Sequence, residues 1–328
     1  MKPTFHANPV NDPYDDPAVF VRILREKRAL LFDLGDIGSL GLGHIQKITD
    51  IFVTHMHIDH FIGFDTVLRA NLRRTVPLRV YGPDPIIGCV AGKLKGYTWN
   101  LIRDYPLRIE VFGISPGMLH HAGFHAENAF EQVDHPPVPF DGTLLQEVMF
   151  TVRGLVLSHQ IPVVAYAMEE GCHINIHKAA LDEMGLPVGP WLSDLKRAVR
   201  EGAPGDSTFF VDGRSLALDA LRRVVSISKG QKISYVMDVS PTEENIGRII
   251  SFVEGSDILF CEAYFLGRDS DRAMERHHLT AETAGRIARK AAVGSLEIMH
   301  FSPKYRDCPD DIYAEAERAF TGSAAEVR

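Results

Sequence analysis

Within six residues the chain offers three imidazoles and a carboxylate, His55, His57, Asp59 and His60, directly after the run Ile51-Phe52-Val53-Thr54. A short apolar run rich in β-branched and aromatic residues reads as a buried strand. Residues two apart at a strand end project to the same side, so His55 and His57 can share one ion. Asp59 and His60 continue into the following turn, toward a second. Isolated histidines are more often surface or core residues than ligands, but four ligand-type residues at this spacing are hard to explain that way.

Three more predicted strands end on a residue able to bind metal. Val148 to Leu157 runs into His159, Ile233 to Met237 into Asp238, and Leu296 to Met299 into His300. After Asp238, Ser240-Pro241-Thr242-Glu243 reads as a capping box with proline at the first helical position, and Ile246, Ile249, Ile250 and Val253 form the buried face. That places Asp238 in a strand-to-helix loop. The strand Asp257 to Ala263 carries Glu262 near its end. His278 precedes a helix capped by Thr280, with Ala284, Ile287, Ala288 and Ala291 as its inner stripe. Glu262 is a candidate partner holding His278 in its charged form.

The elements that must position these groups alternate strand and helix. Val19 to Leu24 and Ala29 to Asp33 read as a hairpin about the turn Arg25 to Arg28, and the second strand ends on Asp33 and Gly35. Gly63 to Arg74 reads as an amphipathic helix with its arginines on a solvated face. Leu78 to Pro83 is the next strand, so a parallel sheet edge with helices outside is expected. His120, His121, His125 and His135 are read as surface or loop residues, with Pro136, Pro137 and Pro139 marking an irregular connection. Gly171 to Arg214 breaks the alternation with two helical stretches, His177 to Met184 and the basic Leu192 to Arg200, set among prolines and glycines. It reads as an excursion from the core.

The chain has 328 residues, 45% hydrophobic and 24% charged, enough for one large domain or two smaller ones. No apolar stretch approaches membrane-spanning length and no secretory leader is read at the N-terminus, so a cytoplasmic location is expected. The four cysteines lie far apart, which suggests neither a disulfide framework nor a thiolate zinc site. A net charge of −8 argues against broad nonspecific nucleic-acid binding, while leaving room for a local basic patch.

The His-x-His-x-Asp-His stretch at 55–60 resembles the signature of the metallo-β-lactamase superfamily. His159 with Pro162, Ala165 and Tyr166, His278 with Thr280, and His300-Phe301-Ser302 with Lys304 and Tyr305 resemble elements of its ribonuclease Z branch, lysine standing where that branch has arginine. The likeness runs from Leu30 to Tyr305. It implies an α/β fold, the αβ/βα sandwich of two packed β-sheets flanked by helices, forming one domain over 1–328 with an inserted arm at 171–214. It further implies two divalent ions, one held by His55, His57 and His159, the other by Asp59, His60 and His300, with Asp238 shared and Asp33 supporting the metal loop. The nitrogen and oxygen donor set suits zinc, with manganese or iron as alternatives. Such a centre activates water and neutralises charge on a phosphodiester. The resemblance makes Asp59, His278 and Glu262 catalytic, and Lys196, Arg197 and Arg200 of the arm, with Ser302 and Lys304, substrate contacts. The expected partner is precursor transfer RNA, cut at its 3′ trailer by a homodimer. The alternatives are a hydrolase of small phosphodiesters or other esters, and a catalytically silent RNA-binding relative.

Overall fold

The structure, a computed structural model, describes residues 4–24 and 26–322, so Arg25 of the expected turn lies outside the described residues. Eight strands follow one another across the first sheet: β1 (Phe5–Pro9), β2 (Val19–Ile23), β3 (Ala29–Phe32), β4 (Ile48–Phe52), β5 (Leu78–Pro83), β6 (Arg108–Ser115), β7 (Met118–His125) and β8 (Gln132–Pro139). β3 through β6 pair in parallel, and the strands outside them pair antiparallel. The continuous apolar run of β3 fits a strand buried on both faces, and β4 is buried throughout even at Thr49 and Asp50, whose carboxylate pairs with Arg79. The helices Phe64–Asn71 and Ile86–Lys95 supply Phe64, Val67, Val90 and Leu94 to the core on one face of this sheet.

The second sheet takes β9 (Thr143–Gln146), β10 (Phe150–His159), β11 (Ile161–Glu170), β16 (Lys232–Val236), β17 (Ile258–Glu262) and β18 (Ser295–Met299), in the order β18-β17-β16-β11-β10-β9. Helices Glu243–Val253, Ala281–Lys290 and Pro309–Thr321 pack on it through Ile246, Ile249, Ala284, Ile287 and Ile312. The two sheets meet through aromatic rings. Phe32 stacks on Phe52 at 5.2 Å and on Tyr235 at 5.8 Å, and Tyr166 donates its hydroxyl to the Val53 carbonyl at 2.6 Å. This is the metallo-β-lactamase sandwich, and it brings the carboxyl ends of β3, β4, β16, β17 and β18 together.

The chain forms two compact units, one of Met1–Leu144, Arg153–Ala167 and Lys232–Arg328, the other of Leu145–Val152 and Met168–Gln231. In the second unit, β12 (His173–Ile176) pairs antiparallel with β15 (Val225–Ser228), and β13 (Thr208–Val211) with β14 (Arg214–Ala217). Helices Lys178–Glu183 and Trp191–Arg200 close over a small core of Leu181, Leu186, Leu192, Leu195, Val211 and Leu221. The excursion read over 171–214 falls inside this unit, which continues to Gln231.

Two local readings change. Pro136, Pro137 and Pro139 do not break the chain but lie in β8, exposed along its whole length at the sheet edge, where a missing N–H costs no interior ladder bond. The helix after Asp238 is capped by Thr242, whose hydroxyl accepts from the Asn245 amide at 3.2 Å, and not by Ser240. Ser240 instead turns its hydroxyl to His277 Nδ1, 3.2 Å away.

Candidate metal centre

The ligand-type groups of the centre stand at or beyond strand ends, His159 as the last residue of β10. β4 leads through Val53 and Thr54 to His55, and a short 3₁₀ turn, Ile58–His60, carries Asp59 and His60 back toward it. Asp33 follows β3, Asp238 lies two residues past β16, and His300 follows β18; all three have left-handed backbone, with φ of 57°, 50° and 59°. Gln160, next to His159, and His277, next to His278, share that conformation. Non-glycine residues held there cost of order 1 kcal/mol or more each and persist where surrounding structure over-determines them. At each strand end the turn aims the side chain inward instead of letting the strand continue. Gly35 is required by close approach: a Cβ there would lie 2.6 Å from that of Asp16 and 2.8 Å from the Asp59 carbonyl.

The side chains gather into overlapping groups, each with its donor atoms within 4.8 Å of one another. One holds His55, His57, His159 and Asp238, another Asp59, His60 and His300, and a third Asp238, Glu262, His278 and His300. Asp238 is the hinge between them: its Oδ2 lies 3.4 Å from Nε2 of both His55 and His60 and 3.8 Å from that of His159, and its Oδ1 lies 2.7 Å from His300 Nδ1. His300 Nε2 and His60 Nε2 stand 3.5 and 3.6 Å from Asp59 Oδ2. Four atoms of this cluster, His55 Nε2, His60 Nε2, Asp238 Oδ1 and His300 Nδ1, are buried without a hydrogen-bond partner among the described residues; the 2.7 Å approach of the last two is too poorly aligned to count as one. Buried polar atoms are rarely left so. Divalent cations fit the convergence of imidazoles and carboxylates whose ring nitrogens and oxygens lack partners.

A layer behind fixes these groups. Asp33, fully buried, takes the Thr54 amide at 2.6 Å, His60 Nδ1 at 2.8 Å and the Tyr235 hydroxyl at 2.9 Å. Thr54 Oγ1 also lies 3.0 Å from His55 Nδ1, and His159 Nδ1 donates to the His277 carbonyl at 2.7 Å. With Nδ1 engaged, Nε2 of each ring is left to face the centre. Thr54, Tyr235 and His277 had no signal in the sequence beyond their neighbours, although a hydroxyl directly before the histidine cluster could have drawn attention to Thr54.

Charge in the cluster is polarised. Burial, aided by the neighbouring His60, pushes His55 down to about 2, so its ring is neutral. Burial also lowers His159, against the pull of Asp238 and Glu262. For His300, burial opposes protonation but Asp238 and Asp59 overcome it, raising the ring to about 10. His60 is raised well above the ordinary value in the same way, by Asp33 and Asp238 against burial. Burial works against ionisation of Asp238, yet His300 and His60 hold it well below the usual carboxylate range.

Beside the centre, His278 Nδ1 lies 2.8 Å from Glu262 Oε2, and Glu262 Oε1 accepts the Val239 amide at 2.6 Å. Tyr264 lies flat on the His278 ring, with centroids 4.1 Å apart. The residues expected to touch substrate are placed differently. Ser302 is buried and caps its own turn, accepting from the Lys304 amide, and Lys304 Nζ bonds Asp269 Oδ1 at 2.6 Å. In the second unit Arg197 is exposed and pairs with Asp194, whereas Arg200 turns inward, 3.5 Å from the buried carboxylate of Glu170. Lys196 is half-buried on the same helix.

No family model matches the chain. Ribonuclease Z of Deinococcus radiodurans is 27% identical over 282 residues, covering 85% of this chain and 83% of that protein. Among solved structures, the metallo-β-lactamase fold protein YhfI of Bacillus subtilis aligns with a TM-score of 0.55 at 16% identity, over 94% of this chain and 86% of that one. The short form of human tRNase Z aligns with a TM-score of 0.51 at 18% identity, over 92% and 93% of the two chains. With this sandwich and the ligand-type residues gathered at its strand ends, the chain is a metallo-β-lactamase-fold protein that resembles the ribonuclease Z branch of the superfamily.

Proposed function

We propose that this chain is a metal-dependent phosphodiester hydrolase, an endoribonuclease that removes the 3′ trailer of precursor transfer RNA. The observation that carries the reading is the single carboxylate, Asp238, which groups with His55, His57 and His159 while lying 3.4 Å from His60 and 2.7 Å from His300, with the His278–Glu262 pair beside it. His55, His57 and His159 would hold one divalent ion, Asp59, His60 and His300 the other, with Asp238 between them; zinc suits the donors best. When bound, the ions supply an activated water and neutralise charge on the phosphodiester.

The protein's own groups do the rest. His278 has its Nδ1 on Glu262, which leaves Nε2 as the nitrogen able to pass a proton to the departing oxygen. Glu262, anchored on the Val239 amide, holds the ring in that orientation. Tyr264 restricts the ring's rotation by stacking against it. Asp59, the most exposed of the cluster's carboxylates, stands at the point where a substrate would meet the centre. Lys196 and Arg197 of the second unit are the side chains proposed to meet RNA phosphates, in a homodimer.

A second reading, hydrolysis of a small phosphodiester, is favoured by one observation: Lys304, Arg197 and Arg200, three of the expected phosphate contacts, are engaged with carboxylates of the chain itself. Incubating the metal-loaded protein with precursor transfer RNA and, separately, with bis(p-nitrophenyl) phosphate separates the two. Cleavage of the RNA immediately 3′ of the discriminator base supports the ribonuclease. Turnover of the small diester alone supports the second reading.

A further inference from the structure

Of the four histidines at 120–135, read from sequence as surface or loop residues, three come together beside Glu110, while His120 turns to Ser115. β6, β7 and β8 pair antiparallel, with Glu110 opposite Gly123 and His121 opposite His135. His121, Gly123 and His125 are two apart along β7 and share a face. His121 Nε2 lies 2.7 Å from Glu110 Oε2, and His125 Nε2 lies 3.5 Å from Glu110 Oε1. Gly123 leaves open space in the middle of the group. A Cβ there would lie 3.2 Å from His125 Nε2, 3.4 Å from Glu110 Oε2 and 3.6 Å from His135 Nε2, so polar atoms from three strands point at one volume.

We propose that Glu110, His121 and His135 form a further site for a transition-metal ion of the zinc class, clipping β8 to β7 and β6. Their donor atoms lie within 4.8 Å of one another. Donors about 2 Å from a tetrahedral zinc stand about 3.3 Å apart, so small rotations of side chains that are half-buried or exposed complete the geometry. Two imidazoles and a carboxylate are a borderline-soft donor set suited to zinc, nickel or copper and not to calcium or magnesium. His125 acts as a positioning residue, holding the second oxygen of Glu110, and one coordination position remains for water.

Ring packing alone accounts for only part of this arrangement. Tyr81, Phe112, His121 and His135 stack in a row across β5 to β8, with centroids 4.2–4.7 Å apart, and the two histidines are its last rungs. Stacking explains why flat rings occupy those positions. It does not explain a carboxylate and a third histidine aimed at the same gap. The row ends on a strand that needs a clip: β8 is exposed throughout and contains three residues unable to donate a backbone hydrogen bond.

The test is zinc uptake by the full chain, dialysed at low-micromolar free zinc and counted by atomic emission, for the wild type, His135→Ala and Glu110→Gln. His135 is exposed, so its loss leaves the core intact, and Glu110→Gln keeps the shape while weakening the donor. The wild type is expected to hold one zinc per chain more than either variant, with zinc slowing amide exchange in β8 of the wild type only. Equal zinc counts in all three proteins would overturn the proposal and reduce the cluster to a stacked edge. Neither outcome depends on what the chain hydrolyses.

Discussion

Both oxygens of Glu262 are committed inside the protein, one to the Val239 amide and one to His278. A residue so placed acts through its neighbour. Glu262→Gln is therefore expected to lower turnover about tenfold or more while leaving metal content and fold intact, as read by steady-state kinetics beside atomic emission. The charge pattern around Asp238 makes a separate prediction. In the metal-free fold at pH 7, His300, raised to about 10, and His60 carry protons that ligation must displace. Metal uptake should release protons, seen as a calorimetric heat that changes with the buffer's ionisation enthalpy. His300 is raised above its ordinary 6.5, so its stabilising contribution is complete below that pH and is lost as pH rises through about 10. Thermal melting of the metal-free protein between pH 6.5 and 10 is expected to show that loss.

At the scale of elements, the centre depends on how strands end. Asp33, Asp238 and His300 were legible in sequence because an apolar run changes abruptly to a metal-binding type, and the 55–60 spacing is dense enough to stand alone. Their left-handed backbone was not legible, because nothing in a local window distinguishes an aspartate that ends a strand from one that turns back into the core. The cap at Thr242 was missed for a similar reason: two hydroxyls flank Pro241, and the contact of Ser240 with His277, 37 residues away, has no local signature. Thr242→Ala should cost about 1 kcal/mol in denaturant unfolding, by loss of the cap. Gly35→Ala should do more local damage, since the added methyl meets Asp16 and the Asp59 backbone. The expected result is weakened metal retention on challenge with a chelator, at a smaller cost to overall secondary structure.

At the scale of the whole molecule, the sandwich was legible because its chemistry is distributed along the chain in order, from Asp33 to His300. The second unit was only partly so. Its helices announce themselves between prolines and glycines, but the pairing of β12 with β15, which carries the unit on to Gln231, joins segments about fifty residues apart and has no local signature. The role of Arg200 follows from the same long-range closure, since Glu170 and Arg200 become partners only when the unit folds. Arg200→Ala should lower the melting temperature by leaving a buried carboxylate less compensated. Arg197→Ala, at an exposed position, should leave stability unchanged and weaken RNA cleavage several-fold if the second unit meets phosphates. No helix among the described residues is long and apolar enough to cross a membrane.

The proposal that this chain cleaves phosphodiesters with His278 protonating the departing oxygen stands or falls on one comparison of substrates. Single-turnover cleavage by the wild type and His278→Ala would be measured on precursor transfer RNA and on bis(p-nitrophenyl) phosphate, whose leaving group departs without a proton. A loss of about 10²- to 10⁴-fold is expected on the RNA and little change on the aryl diester, with metal content equal in both proteins. Equal losses on the two substrates would contradict it, and would make His278 a support of the metal centre instead of its acid.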